Sequence, residues 1–341
     1  MPAVWDIFGT DAYSVRECRE AVNRLPYNAL SLGELSIRFG LFRGVGIPTT
    51  SFFLESKDSK ISLIPNTPRN TPGAVRPPEK RKARAFACLH LPLEDAIWPD
   101  DVQDVRRFDS ANELETVESV VGERLDDMRD DFEVNHEYHR VNAVQGLVKD
   151  HDGTTILNLF TEFGLTELNV NFNWATATDT TVQSDAMAVV REIEDVIGNK
   201  PYTGIIGLCS DAFWDAMVAS GPVADHFNRW ENGRFERDDL RSVGFQYKGI
   251  TWVNYRGSVG SHDFIDNTSG GNARFFPVGV RGLFRAHFAP ANWVDAANTI
   301  GLPMYVGQEP KPKKAGVDIF GETNPFFYCT QPGACVRGSN T

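Results

Sequence analysis

The sequence predicts an α+β fold, in which one α/β body carries an N-terminal arm, an extended hairpin and a single long helix. Three observations predict it. Apolar residues recur at three- and four-residue steps over residues 111–148. Two strand-like runs flank a Pro-rich, basic segment at 65–83, and helix and strand patterns alternate from about residue 170. The 341 residues suffice for two compact cores. With 41% hydrophobic and 23% charged residues, the composition is that of an ordinary globular chain.

Residues 1–47 read as an arm. Its amphipathic stretches, Val15 to Leu25 and Leu30 to Phe42, are separated by Pro26 and closed by Gly44, Gly46 and Pro48, so each is too short to build a core. Thr50 to Ser56 and Lys60 to Ile64 carry strand patterns. Beyond Pro65, Pro68, Pro72, Gly73, Pro77 and Pro78, the run from Arg84 to Leu91 alternates with the period needed to pair back. The result is a hairpin projecting from the body.

Between Ala111 and Val148, the residues Leu114, Val117, Val121, Leu125, Met128, Phe132, Val141, Val144 and Val148 share one helical face, with acids between them. A helix of nearly forty residues would run about 55 Å, too far for a small domain to cover on all sides. A polar turn, Lys149 to Gly153, and a hairpin strand, Thr154 to Phe160, follow. The α/β stretch comprises a helix over Ser184–Ile197, a buried strand over Gly204–Cys209, a helix over Ser210–Ala219 and a short helix near Val223–Trp230. Strands are expected at Phe245–Tyr255, Ala273–Val280, Leu283–Phe288, Gly316–Gly321 and Phe326–Cys329.

Motif chemistry is sparse. His136 and His139 are three apart, whereas a zinc-protease helix needs His-Glu-x-x-His; they read as solvated helix residues. Asp150, Asp152 and Gly153 lack the later oxygen ligands of a calcium loop and read as a turn. Cys209 stands at a strand-to-helix step without the second glycine of a nucleophile elbow, so a packed thiol is expected. The glycines at 44–46, 257–261 and 269–271 do not have phosphate-loop spacing. No catalytic residue, metal ligand or cofactor is assigned. The five cysteines, Cys18, Cys88, Cys209, Cys329 and Cys335, are odd in number and read as reduced thiols rather than a disulfide framework. No apolar run reaches the roughly 18 residues of a membrane span, and the first residues lack a signal-peptide pattern, so synthesis in a cytosol is expected.

Charge is unevenly placed. The net charge of −12 opposes broad nucleic-acid binding. Residues 55–84 hold eight Lys or Arg against three acids, and residues 94–133 hold fifteen acids against four Arg. Arg76, Lys80, Arg81, Lys82 and Arg84 on the hairpin are thus complementary to Asp100, Asp101, Asp104, Glu113, Glu115 and Glu118 near the helix. One set can dock on the other in a neighbouring copy, or both can be solvated faces.

The run from Leu91 to Phe108, opening Leu-Pro-Leu-Glu-Asp, leads into the helix. Ala143 to Gly146 closes it, and an Asp-Gly turn and Asn158-Leu-Phe-Thr-Glu-Phe-Gly164 follow. This series resembles the phage lambda major capsid protein E family of tailed-phage coat proteins. Ser210 to Met217 and Phe245 to Val253 are weaker echoes, and the resemblance runs in order over roughly residues 30–336. It implies the Hong Kong 97-type capsid fold. The arm would be 1–49, an extended loop 50–92, a peripheral domain with a spine helix 93–169, and an axial domain 170–300. Residues 301–341 would be strands returning to the peripheral domain.

The function implied is a non-enzymatic coat subunit. It would assemble with itself as hexamers and pentamers of an icosahedral head shell, enclose DNA without sequence-specific binding, avoid membranes and reside in the virion after synthesis in the host cytoplasm. Portal, scaffold and decoration proteins are further partners open to such a subunit. Two alternatives stand beside this reading: another phage assembly protein, such as a tail-tube or scaffold subunit, and a cytosolic hydrolase using Cys209.

Overall fold

In a computed structural model of the chain, the strongest periodicity of the sequence becomes a 28-residue helix, Val117–Val144. The structure describes residues 41–57, 81–102, 117–198, 200–224, 244–259, 262–267 and 270–341. Most of the expected arm, the run Lys60 to Ile64, the Pro-rich segment up to residue 80, the helix start at 111–116 and residues 225–230 lie outside them.

Four strands open the described chain: β1 (Phe42–Gly46), β2 (Ser51–Lys57), β3 (Arg81–Ala87) and β4 (Leu91–Ile97). Helices α1 (Pro99–Val102) and α2 (Val117–Val144) follow. Next come β5 (Leu147–Lys149), β6 (Thr155–Asn158), α3 (Leu159–Phe163) and β7 (Asn169–Asn171). The α/β stretch is α4 (Asp179–Ile197), β8 (Gly204–Cys209) and α5 (Asp211–Ala219). Strands β9 (Phe245–Tyr247), β10 (Ile250–Asn254), β11 (Ser258–Val259), β12 (His262–Asp263), β13 (Asn272–Val278) and β14 (Phe284–Phe288) come next. The chain finishes on β15 (Tyr305–Pro310), β16 (Val317–Thr323), β17 (Pro325–Cys329) and β18 (Val336–Ser339).

Among the described residues the largest sheet has six strands in the order β7-β18-β13-β8-β10-β9. Its centre, β8, runs parallel to β10 and antiparallel to β13. Covered on both faces, β8 reads as a continuous apolar run rather than an alternating one. Val182, Ala186, Val189, Ile193 and Ile197 form the buried stripe of α4 at three- and four-residue spacing. Thr178 starts that helix with a capping box to Thr181. The core holds Phe172, Trp174, Phe213, Trp252 and Phe275 in contact, Trp252 edge-on to Phe275 at 5.1 Å. Gly207 is required here, because an added Cβ would lie 2.6 Å from the Phe275 ring.

A second sheet, β15-β16-β4, lies under the first half of α2, where Ile97, Met128, Phe132, Val306 and Ile319 pack together. A third, β1-β14-β17, receives the base of the β2–β3 hairpin through Phe52 and Phe86 against Phe326 and Tyr328.

Four expectations need correction. The helix ends at Val144 rather than near Lys149, because Gly146 takes φ 69° and its amide turns back to Ala143 O. Val148 is therefore a strand residue. The strand expected to reach Phe160 stops at Asn158, whose side chain accepts from the Phe160 amide at 2.9 Å and caps α3. His136 and His139 are buried, not solvated, because sheet and loop residues cover the second half of α2. Finally, residues 301–341 divide: β15 and β16 pair with β4, while β18 crosses into the six-stranded sheet between β7 and β13.

Candidate subunit-contact surfaces

The expected hairpin forms with continuous antiparallel register, from Ser51 opposite Ala87 to Lys57 opposite Arg81, but its second strand is Arg81–Ala87 rather than Arg84 to Leu91, and Leu91 opens β4 instead. Of its basic residues, Arg76 and Lys80 lie outside the described residues, and Arg81 and Lys82 belong to β3. Arg84 is engaged within its own chain. Its Nη1 lies 2.6 Å from Glu162 Oε2 on α3, and its guanidinium sits 5.7 Å from the Phe163 ring centroid. It serves to seat the hairpin base on α3, a role that local sequence did not reveal.

On the acidic side, Asp104, Glu113 and Glu115 lie outside the described residues, and Glu118 stands in the first turn of α2. Asp100 and Asp101 are exposed on α1. Asp101 Oδ2 accepts from the Trp98 amide at 2.8 Å, holding that turn closed. The acids missed by the sequence reading are Glu123, Asp126, Asp127, Asp130 and Asp131, all exposed on one side of α2. Their spacing opposite Val121, Met128 and Phe132 was the available signal.

Exposed apolar residues add to the surface: Val294 is 94% exposed, Phe53 72% and Ile300 69%. Large apolar groups left in water mark interaction sites when they cluster. Val294 and Ile300 share one loop, which is held by Trp293 against Phe320 at 5.1 Å and by the Gly301 amide on Ile47 O. Turn-rich segments conceal such residues, since sequence says nothing of what covers them.

Chemistry-bearing groups are largely packed. Cys209 is fully buried, and burial pushes its thiol well above the ordinary range. Asp150 to Gly153 form a turn in which Asp152 accepts from the Thr154 amide and hydroxyl. Among the described residues no group of His, Cys, Asp and Glu could hold a metal ion, and no helix is long and apolar enough to cross a membrane.

A cleft of about 810 Å³ at the hairpin base is lined by Cys88, His90, Glu322 and Asn324, with Val294 on its wall. His90 Nδ1 lies 3.1 Å from both Glu322 Oε1 and Asn324 Oδ1. Burial raises the Cys88 thiol to about 11, so at neutral pH it is a thiol rather than a nucleophilic thiolate.

Comparison with known proteins agrees with this architecture. The family model for phage major capsid protein E matches residues 14–340. The major capsid protein of Salmonella phage Felix O1 is 24% identical over 332 residues, covering 87% of this chain and 89% of the relative. That of Pseudomonas phage KPP10 is 26% identical over 331 residues, covering 89% and 91%. The mature capsid of bacteriophage PhiM1 superposes with a TM-score of 0.52 at 12% identity, covering 93% of this chain and 88% of that one. The capsid of Myoviridae phage XM1 gives 0.53 at 8% identity, covering 89% and 91%. The fold is thus of the Hong Kong 97 type. Matched over nearly its whole length, the chain belongs to the phage major capsid protein E family.

Proposed function

We propose that the chain is the major capsid subunit of a tailed-phage head and assembles with copies of itself, as hexamers and pentamers, into an icosahedral shell around genomic DNA. The observation that carries this reading is the family match over residues 14–340. The parts divide as arm 1–49, extended loop 50–92, peripheral domain 93–169, axial domain 170–300 and closing strands 301–341, with β18 serving the axial sheet. A hairpin and a long helix suit such a subunit, because extensions enlarge contacts that a compact body alone keeps small. The net charge of −12 suits a wall that encloses DNA without gripping it.

The role is structural rather than catalytic, in the virion after synthesis in the host cytoplasm. Portal, scaffold and decoration proteins are its further partners. Contacts between copies place Arg76, Lys80, Arg81 and Lys82 against acids around 100–118 and the exposed acids of α2. Arg84 is assigned instead to its own Glu162. Purified full-length chain should give capsomers or shells in size-exclusion chromatography and cryo-electron microscopy. A monomer at all concentrations, alone and with its scaffold, would overturn the reading.

A further inference from the structure

Cys329 closes β17, and Cys335 stands one residue before β18. Six positions apart, they belong to different parts of the fold: β17 lies in the three-stranded sheet with β14 and β1, β18 in the six-stranded sheet. Their sulfur atoms are 3.8 Å apart, with the Cys335 thiol donating to Cys329. Both are buried and neither is in a disulfide.

The backbone on either side is held in place. The Thr330 amide donates to Leu283 O, and the Thr330 hydroxyl reaches Gly282 O and Leu283 O. Residues 332–334 form one tight turn, in which the Cys335 amide donates to Pro332 O, and Gly333 faces Val196 of α4. A disulfide needs its sulfurs at about 2 Å and its Cα atoms within about 7 Å. The two strand ends are joined by a single turn, and their thiols are already in contact at 3.8 Å.

We propose that Cys329 and Cys335 are a latent intrachain disulfide, which forms on oxidation and covalently ties the three-stranded sheet to the six-stranded one. The chemistry balances with a peroxide as oxidant. A thiolate attacks one peroxide oxygen, the O–O bond breaks, and a sulfenic acid and one water result. The second thiol then attacks the sulfenic sulfur, forming S–S and releasing a second water. Either thiol can react first, since both are buried and in contact. The hydrogen bond to Cys329 and burial hold the Cys335 thiol high, so reaction proceeds through opening of the turn at Gln331 and Gly333, which are partly exposed. This chemistry does not depend on the shell reading.

The test uses reduced full-length chain treated with hydrogen peroxide or left in dithiothreitol, then alkylated with N-ethylmaleimide in denaturant and digested with trypsin. Both cysteines fall in one tryptic peptide, residues 315–337. Peroxide should remove two hydrogens from that peptide and abolish its alkylation, while Cys209 remains alkylated. The melting temperature should rise, and the rise should vanish in Cys329→Ser and Cys335→Ser. The mass reading on the unaltered chain stands even where a variant folds poorly. Oxidation of the partly exposed Cys88 with both Cys329 and Cys335 still fully alkylated overturns the proposal. Pairing of either cysteine with another copy does so as well.

Discussion

The Tyr255 hydroxyl donates to Glu137 Oε1 at 3.0 Å, and Arg140 Nη1 lies 3.3 Å from Glu137 Oε2, so a fully buried carboxylate of α2 is held from two sides. Burial, then the charge of Glu137, raises the Tyr255 phenol far above its ordinary range, which keeps it a donor at any working pH. Tyr255→Phe leaves that carboxylate short of a donor and should destabilise the subunit by about 1–3 kcal/mol. Urea unfolding of the isolated subunit measures it, and an unchanged midpoint would remove this bond from the account.

His136 and His139 should make the subunit acid-sensitive. Burial drives His136 well below 6.5, with the Arg140 charge adding to the effect, and drives His139 to about 4. An unfolded histidine titrates near 6.5, so below that pH the unfolded chain binds more protons than the folded one. Stability is therefore fully present above about pH 6.5 and falls as pH drops, the His139 share continuing to about 4. Melting temperatures across this range should decline, and His139→Leu should flatten the decline. An identical slope in the variant would assign the acid limb to other groups.

Gly146 is where α2 must stop. A Cβ there would stand 2.5 Å from the Phe160 ring, in a backbone conformation with φ 69°. Gly146→Ala should cost about 1–3 kcal/mol, the combined effect of strain and overpacking. Thermal unfolding measures the loss. Exposed Gly122, with open space around it, is the control: Gly122→Ala should be neutral or stabilising.

Reversing Lys80, Arg81 and Lys82 to Glu should impair assembly with little change in subunit melting, since exposed ion pairs contribute only about 0–1 kcal/mol each. Reversing Glu113, Glu115 and Glu118 to Lys in the same chain should partly restore it. Arg84→Glu should behave differently, loosening the hairpin base from Glu162 in the isolated subunit. Light scattering at low and moderate salt reads assembly. Normal assembly of the triple reversal in both would assign the basic hairpin to solvent or to another partner.

Local pattern carried much of the architecture. The three- and four-residue spacing of Val121, Leu125, Met128 and Phe132 was enough to place α2, and the alternation on either side of the Pro-rich segment was enough to pair β2 with β3. The apolar run Gly204 to Cys209 announced a central strand, and the turn residues after it announced α5. Such signals are legible because backbone period and side-chain polarity act within one element.

Tertiary structure decided the rest. His136 reads as a polar helix residue until Thr323, 187 positions later, arrives at 2.8 Å to bond it. Arg84 reads as part of a basic patch until Glu162 folds beside it. β18 leaves the sheet of β4, β15 and β16 because β7 and β13 offer it an interior place in the six-stranded sheet. Burial and pairing of this kind depend on which distant segment meets which, and no periodicity within a single element encodes that. The sequence by itself determined the long helix α2, the helices α4 and α5, the hairpin and the family resemblance. Only the tertiary structure decided which charges face water and which are spent inside the fold, because desolvation depends on the whole packed neighbourhood rather than on the residue.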